Sequence, residues 1–210
     1  MALAPHPRSD QTPRFFANPP TAETVRDYTG VPGLDYLEEF LNADEQRQTL
    51  AEIDDQPWLS DLKRRVQHYG YKYDYKARSI DRSLYVGPLP GFARELGRRL
   101  VGLGLMESPP DQLIVNEYLP GQGISAHVDC EPCFGNHIVT VSLGSVYEME
   151  FTRLREGRTV TMDLGLGSAL SFHDEARRLW THCIRARKSD DGRPRGRRVS
   201  LTFRNVILTD

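Results

Sequence analysis

The chain has 210 residues, 39% of them apolar, which is enough for one domain with a sizeable core. A formal net charge of −2 favours neither a nucleic-acid nor a membrane partner, so local charge has to decide. No stretch approaches the roughly 18 apolar residues of a spanning helix, which excludes an integral helical membrane protein, and three cysteines without a secretory leader pattern point to a cytoplasmic chain.

Residues 1–30, polar and rich in proline with Phe15 and Phe16 as the one large apolar pair, read as an arm ahead of a single domain over 31–210. Leu34 to Leu41 reads as a strand. Asn42 followed three residues later by Glu45 is a capping-box pattern for a helix to about Asp55, with Leu50 and Ile53 on its buried stripe and Trp58 and Leu59 packed under it. Next, Tyr69, Tyr71, Tyr73 and Tyr75 recur every second residue and so share one strand face. Basic residues outnumber acidic ones between Leu62 and Arg82, and a positive, aromatic ribbon suits phosphates and a stacked base. An amphipathic hairpin with core-facing tyrosines is the alternative. Pro90 to Leu103 carries Phe92, Leu96, Leu100 and Leu103 at helical spacing, and Gln112 to Tyr118 reads as a strand.

Short strands follow at Ile138–Leu143, Val146–Phe151, Thr159–Leu164 and Ser168–Phe172, separated by glycine turns. Arg185 to Arg197 reads as an arginine-rich loop and Arg198 to Leu208 as the strand that closes the sheet. Strands this short and numerous, with helices gathered ahead of them, predict a mainly β chain with flanking helices (α+β) folded as a double-sheet jelly roll.

Candidate chemistry centres on Asn116 to Asp129. Residues two apart project from the same face of a strand, so His127 and Asp129 can grip one ion together. Far downstream, Trp180-Thr181-His182, with Arg178 ahead of it, offers a second imidazole, for which His173 is the rival. In Arg198–Arg204 the period of two sets Arg198, Ser200, Thr202 and Arg204 on one face. Two histidines and a carboxylate that leave coordination positions open suit ferrous iron, and a fixed arginine fork suits a dicarboxylate. Cys130 and Cys133 read as small apolar packing, because a structural zinc needs a second pair of ligands that the chain lacks, and Cys183 reads as a buried neighbour of His182.

N-x-Y-x-x-G from Asn116, H-x-D, an arginine-led W-x-H and R-x-S-x-T-x-R, in this order between about Val31 and Val206, resemble the AlkB family of iron(II)/2-oxoglutarate dioxygenases. The resemblance implies a double-stranded β-helix of the 2-oxoglutarate oxygenase type, with Fe(II) on His127, Asp129 and His182 and with 2-oxoglutarate and O2 as co-substrates. It places Arg198 on the far carboxylate of 2-oxoglutarate with help from Asn116 and Tyr118, and Arg204 near the metal-bound end. Ser200 stands where the bacterial pattern usually has asparagine. It further implies a substrate lid near residues 62–82, with Tyr69, Tyr71, Tyr73, Tyr75, Lys76 and Arg78 as contacts, and an acid, Glu131, on the exocyclic nitrogen of a damaged base. The expected function is oxidative demethylation of alkylated bases in single-stranded or flipped-base DNA or RNA by a monomer with no membrane partner. Two alternatives stand beside it: hydroxylation of a modified wobble uridine in transfer RNA, which the stretches Arg65–Tyr71, Pro120–Ile124 and Leu179–His182 resemble, and a non-catalytic metal-containing jelly-roll module.

Overall fold

Alternation along the strands sorts side chains into two environments, and the architecture follows from that sorting. The computed structural model describes residues 23–60, 63–74 and 77–208. In chain order they form β1 (Leu34–Leu37), α1 (Ala43–Asp54), β2 (Val66–Tyr71), β3 (Tyr85–Gly87), α2 (Gly91–Gly102), β4 (Gln112–Tyr118), β5 (Ile124–His127), β6 (Ile138–Leu143), β7 (Tyr147–Arg153), β8 (Thr159–Leu164), β9 (Ala169–Phe172), α3 (Asp174–Arg178), β10 (Trp180–Ile184), β11 (Ser189–Asp190), β12 (Arg193–Pro194) and β13 (Arg198–Arg204). Seven strands form one sheet in the order β1-β9-β6-β13-β4-β2-β3, and four form a second in the order β5-β10-β7-β8. The pairings are antiparallel, and the two sheets face one another as a jelly roll. Among the described residues, no helix is long and apolar enough to cross a membrane.

In β13, Val199, Leu201 and Phe203 pack with Leu113 and Val115 of β4, Val139 and Val141 of β6, and the apolar stripe of α2. Each of these fully buried side chains contributes roughly 1.5–3 kcal/mol, so the helices seal this face of the large sheet firmly. The intervening residues of the same strands point the other way, toward the small sheet. There a second apolar cluster, including Ile138, Leu170, Tyr147, Phe151, Leu164 and Trp180, fills most of the gap and leaves a cleft toward one end.

The capping box is present as expected: the Asn42 side chain accepts from the Asp44 and Glu45 amides while Glu45 accepts from the Asn42 amide. Ile53 is sealed in the core, and Trp58 packs partly against it with the Arg65 guanidinium 5.0 Å from its ring centre. Leu59 departs from the expectation, 41% exposed in a bridge to Val66 rather than under the helix. Residues 23–30, expected to belong to the arm, lie on the domain: Val25 pairs with Tyr36 and Arg26 with Asp35, while Phe15 and Phe16 fall outside the described residues.

Three further expectations are corrected. The final strand ends at Arg204 and sits in the middle of the large sheet, between β6 and β4, rather than closing an edge. The loop at 185–197 contains the β11–β12 hairpin, turned at Asp191 (φ 44°) and Gly192 (φ 80°). Two consecutive positive φ values are what a tight two-residue hairpin requires, and Asp-Gly is its usual sequence.

The tyrosine ribbon is also split. Gly70 takes φ +76° and the β2–β3 register shifts beside it. Tyr69 therefore packs on the helix-side core, whereas Tyr71 and Tyr73 join the cluster between the sheets. A Cβ at residue 70 would lie 1.8 Å from the Asp111 carbonyl oxygen. Gly70→Ala is accordingly expected to lower stability by more than about 1 kcal/mol in urea unfolding, since both the positive φ and the close backbone approach oppose it; an unchanged midpoint would show that the backbone relaxes freely here.

Candidate active site

The alternation that buries Val199, Leu201 and Phe203 turns Arg198, Ser200, Thr202 and Arg204 into a cavity of about 720 Å³ between the sheets. Asn116 and Tyr118 of β4 and Thr140 of β6 line the same wall, because β13 pairs Ser200 with Asn116 and Thr202 with Thr140. The opposite wall comes from the small sheet. There β5 and β10 pair His127 directly with His182, which sets the two imidazoles side by side at 4.3 Å between ring centres. Asp129 follows two residues after His127.

One donor atom from each of His127, Asp129 and His182 lies within 4.8 Å of the others, close enough to hold one ion. The His127 Nδ1 donates to the Ser125 carbonyl at 2.8 Å, which leaves Nε2 with its lone pair free. His182 is buried against Phe172 and Phe151, with Nε2 3.7 Å from Asp129 Oδ2. Burial, with His127 beside it, pushes its pKa down to about 3. It therefore stays neutral, as a metal ligand must. Burial alone would raise Asp129, but the Arg204 guanidinium beside it outweighs this and holds the carboxyl below its usual range. Asp129 Oδ1 accepts from Arg204 at 2.8 Å, while Oδ2 is buried with no hydrogen-bond partner. An orphaned carboxylate oxygen facing two imidazoles fits a cation. Two nitrogens and one oxygen on one side leave the remaining positions open, as in oxygenase iron centres.

Arg198 stands deeper. It is 1% exposed, donates to Ser142 Oγ at 2.9 Å, and has an Nε without a partner. Burial lowers its pKa to about 10, so it remains a cation at neutral pH. A sealed guanidinium with unfilled donors fits a carboxylate entering the cavity. The guanidinium carbons of Arg198 and Arg64 stand 5.4 and 5.2 Å from the centre of the Tyr118 ring. Arg64 Nε also donates to Asn116 Oδ1 at 2.8 Å. Ser200 bonds Thr140 through their hydroxyls at 2.7 Å.

Not every expected residue reaches the site. Tyr73 and Arg78 line the cavity, but Tyr69 and Tyr71 do not, and Tyr75 and Lys76 fall outside the described residues. Glu131 is exposed and faces a separate depression beside Arg177 and Arg178. His173, the rival ligand, bonds Asp35 and Asp174 and stacks on His137 instead. Cys130 and Cys133 form a disulfide rather than simple apolar packing. Cys183 is a buried free thiol whose pKa burial and Glu150 raise, which fits a packing neighbour of His182. The cations Lys63 and Arg64 in the cavity lining were not singled out individually from the sequence.

The 2OG-Fe(II) oxygenase superfamily model matches residues 33–204. Similar proteins include the tRNA (carboxymethyluridine(34)-5-O)-methyltransferase alkbh8 of Xenopus tropicalis, 39% identical over 76% of this chain and 26% of its own length. The alkylated DNA repair protein ALKBH8 homolog of Arabidopsis thaliana is 34% identical over 84% of this chain and 59% of its own. The chain thus spans about a quarter of the first of these relatives and under two thirds of the second. The solved structure of OsALKBH1 superposes with a TM-score of 0.67 at 20% identity, covering 83% of this chain and 97% of that one, which supports the fold.

His182 generates a pH prediction. Its folded pKa lies near 3, below the ordinary 6.5, so the unfolded chain binds its proton first as pH falls. Stability of the metal-free protein is expected to be full above pH 6.5 and to decline as the pH drops toward 3. Urea unfolding with a chelator present measures this, and His182→Gln should flatten the decline; an equally steep slope in that variant would remove His182 as its source.

Proposed function

Since the chain belongs to the 2OG-Fe(II) oxygenase superfamily and to its AlkB-like branch, it is a dioxygenase that uses ferrous iron, 2-oxoglutarate and O2, and we propose that it hydroxylates a modified uridine at the wobble position of transfer RNA. Iron with its two co-substrates supplies the oxidation, in which one oxygen atom enters a substrate C–H bond and the other enters succinate as carbon dioxide leaves.

The chain's own residues do the holding and orienting. His127, Asp129 and His182 present three ligands from one side. Arg204 fixes one oxygen of Asp129 and turns the other toward the imidazoles. Arg198 takes the far carboxylate of 2-oxoglutarate, within a wall shared by Asn116, Tyr118 and Ser200. Phe172, Met149 and Ile184 keep the reacting end of the cavity apolar and poor in water.

The charge at the cavity carries the choice of substrate. Lys63, Arg64 and Arg78 contribute to its lining, and Asp129 is the single carboxylate there among the described residues. A base made cationic by methylation would meet like charges with no acid to receive it, because Glu131 lies outside. At an effective dielectric near 20, each unit charge about 4 Å away contributes on the order of 4 kcal/mol, so the sign of the cavity decides the preference. A neutral base, or one with an acidic substituent, enters without that penalty. Relatives at 34–39% identity are named for carboxymethyluridine 34 of transfer RNA, a base of this second kind. Demethylation, the leading expectation from the sequence, drew its preference for a cationic base from Glu131, and that acid lies outside the cavity.

Turnover with ferrous iron and 2-oxoglutarate on transfer RNA and on methylated oligonucleotides separates the two. The expected result is one oxygen atom added to a modified uridine by mass spectrometry, succinate formed and no formaldehyde. Formaldehyde released from the methylated strands, with transfer RNA unchanged, would reverse the assignment.

A further inference from the structure

Among the described residues, the loop that carries Asp129 is tied to the domain by backbone only at its far end, where Phe134 bridges Val206 and Gly135 and Cys133 bond Asn205 and Ile207. Between the end of β5 at His127 and the start of β6 at Ile138, four of its backbone carbonyls meet one side chain, Arg177 of α3. Nε of Arg177 donates to the Gly135 carbonyl at 2.9 Å, one terminal nitrogen to Asp129 at 3.3 Å, and the other to Cys130 at 3.2 Å and Phe134 at 3.0 Å. The residue is 3% exposed, and these hydrogen bonds all end on carbonyls of one loop.

Burying a guanidinium costs several kcal/mol, and only a set of well-placed acceptors offsets it. Those acceptors are the loop itself. The planar fork reads four carbonyls at fixed angles, which a flexible ammonium cannot reproduce. Its own position is set in turn by α3, where the Ala176 amide donates to Pro32 and the Arg177 amide to His173.

We propose that Arg177 is a positioning residue for the metal centre: it fixes the main chain of Asp129 while Arg204 fixes one oxygen of its side chain, so that the remaining oxygen is aimed at the ion before the ion arrives. Neither the disulfide nor the backbone bridge replaces this contact, because Cys130–Cys133 ties the loop to itself and the bridge at Phe134 holds the end remote from Asp129. The inference rests on His127, Asp129 and His182 being the iron ligands.

Cobalt(II) titration of the metal-free protein, followed by visible absorption, tests it without turnover. Wild type should bind one ion and His182→Ala should bind it far more weakly; failure of that pair would sink the ligand assignment itself and not the role of Arg177. With the pair as expected, Arg177→Gln should weaken binding on the order of tenfold, the range seen when residues supporting metal ligands are lost, and Arg177→Lys should fall between it and wild type. Asn42→Ala, which removes a remote helix cap, should lower the melting temperature yet keep wild-type cobalt affinity. Wild-type affinity in Arg177→Gln would overturn the proposal, as would an equal loss in Asn42→Ala, which would mean that affinity merely tracks stability. If Arg177→Gln does not fold, Arg177→Lys decides by the same titration: weakened binding supports the role and wild-type binding overturns it.

Discussion

A cation sealed inside the fold with donors to spare organises everything around it. Arg198 donates one hydrogen bond to Ser142 and leaves Nε with no partner, at 1% exposure. Left uncompensated, such a charge costs several kcal/mol, so the buried guanidinium makes sense with an anion opposite it. Arg204, six residues along the same strand face, has the opposite task. It is already paired with Asp129 and serves to hold that carboxylate ionised and oriented.

The jelly roll suits this division because the two halves of the site come from different sheets. The large sheet supplies the arginines, Asn116 and Tyr118; the small sheet and the loop after it supply the three residues able to hold a metal ion. No local segment contains the whole constellation. An ion or a diacid that binds here binds the closed sandwich and not the unfolded chain, so either one adds its binding free energy to folding.

Where a residue's role is set by period two, the sequence was readable. The bounds of β4, β6 and β8 match their apolar patterns, and the alternation Arg198-Ser200-Thr202-Arg204 marked the cavity wall because every second residue of β13 had to face away from the helices. The capping box at Asn42 was equally local and equally legible. What depended on a single backbone torsion or on distant contacts was not. Gly70 breaks the tyrosine ribbon through one positive φ, a choice that depends on the Asp111 carbonyl reached only in the fold. Asp191-Gly192 carried a hairpin signal that the surrounding arginines obscured. Glu131 follows Asp129 by two residues and would share its face in a strand, but the chain there turns, and the acid leaves the cavity. Arg177 shows the limit most plainly: adjacent to Arg178 and chemically identical to it, it is distinguished by the direction that α3 gives its side chain.

Anaerobic calorimetric titration of 2-oxoglutarate into the ferrous protein tests the centre of this account, with Arg198→Met as the comparison and a 2-oxo acid lacking the far carboxylate as the second ligand. Hydrogen bonds to a charged group contribute about 1.5–3 kcal/mol, so loss of the guanidinium should weaken 2-oxoglutarate by roughly 10- to 100-fold. The truncated acid should bind wild type and variant alike. Equal 2-oxoglutarate affinity in wild type and Arg198→Met would contradict it.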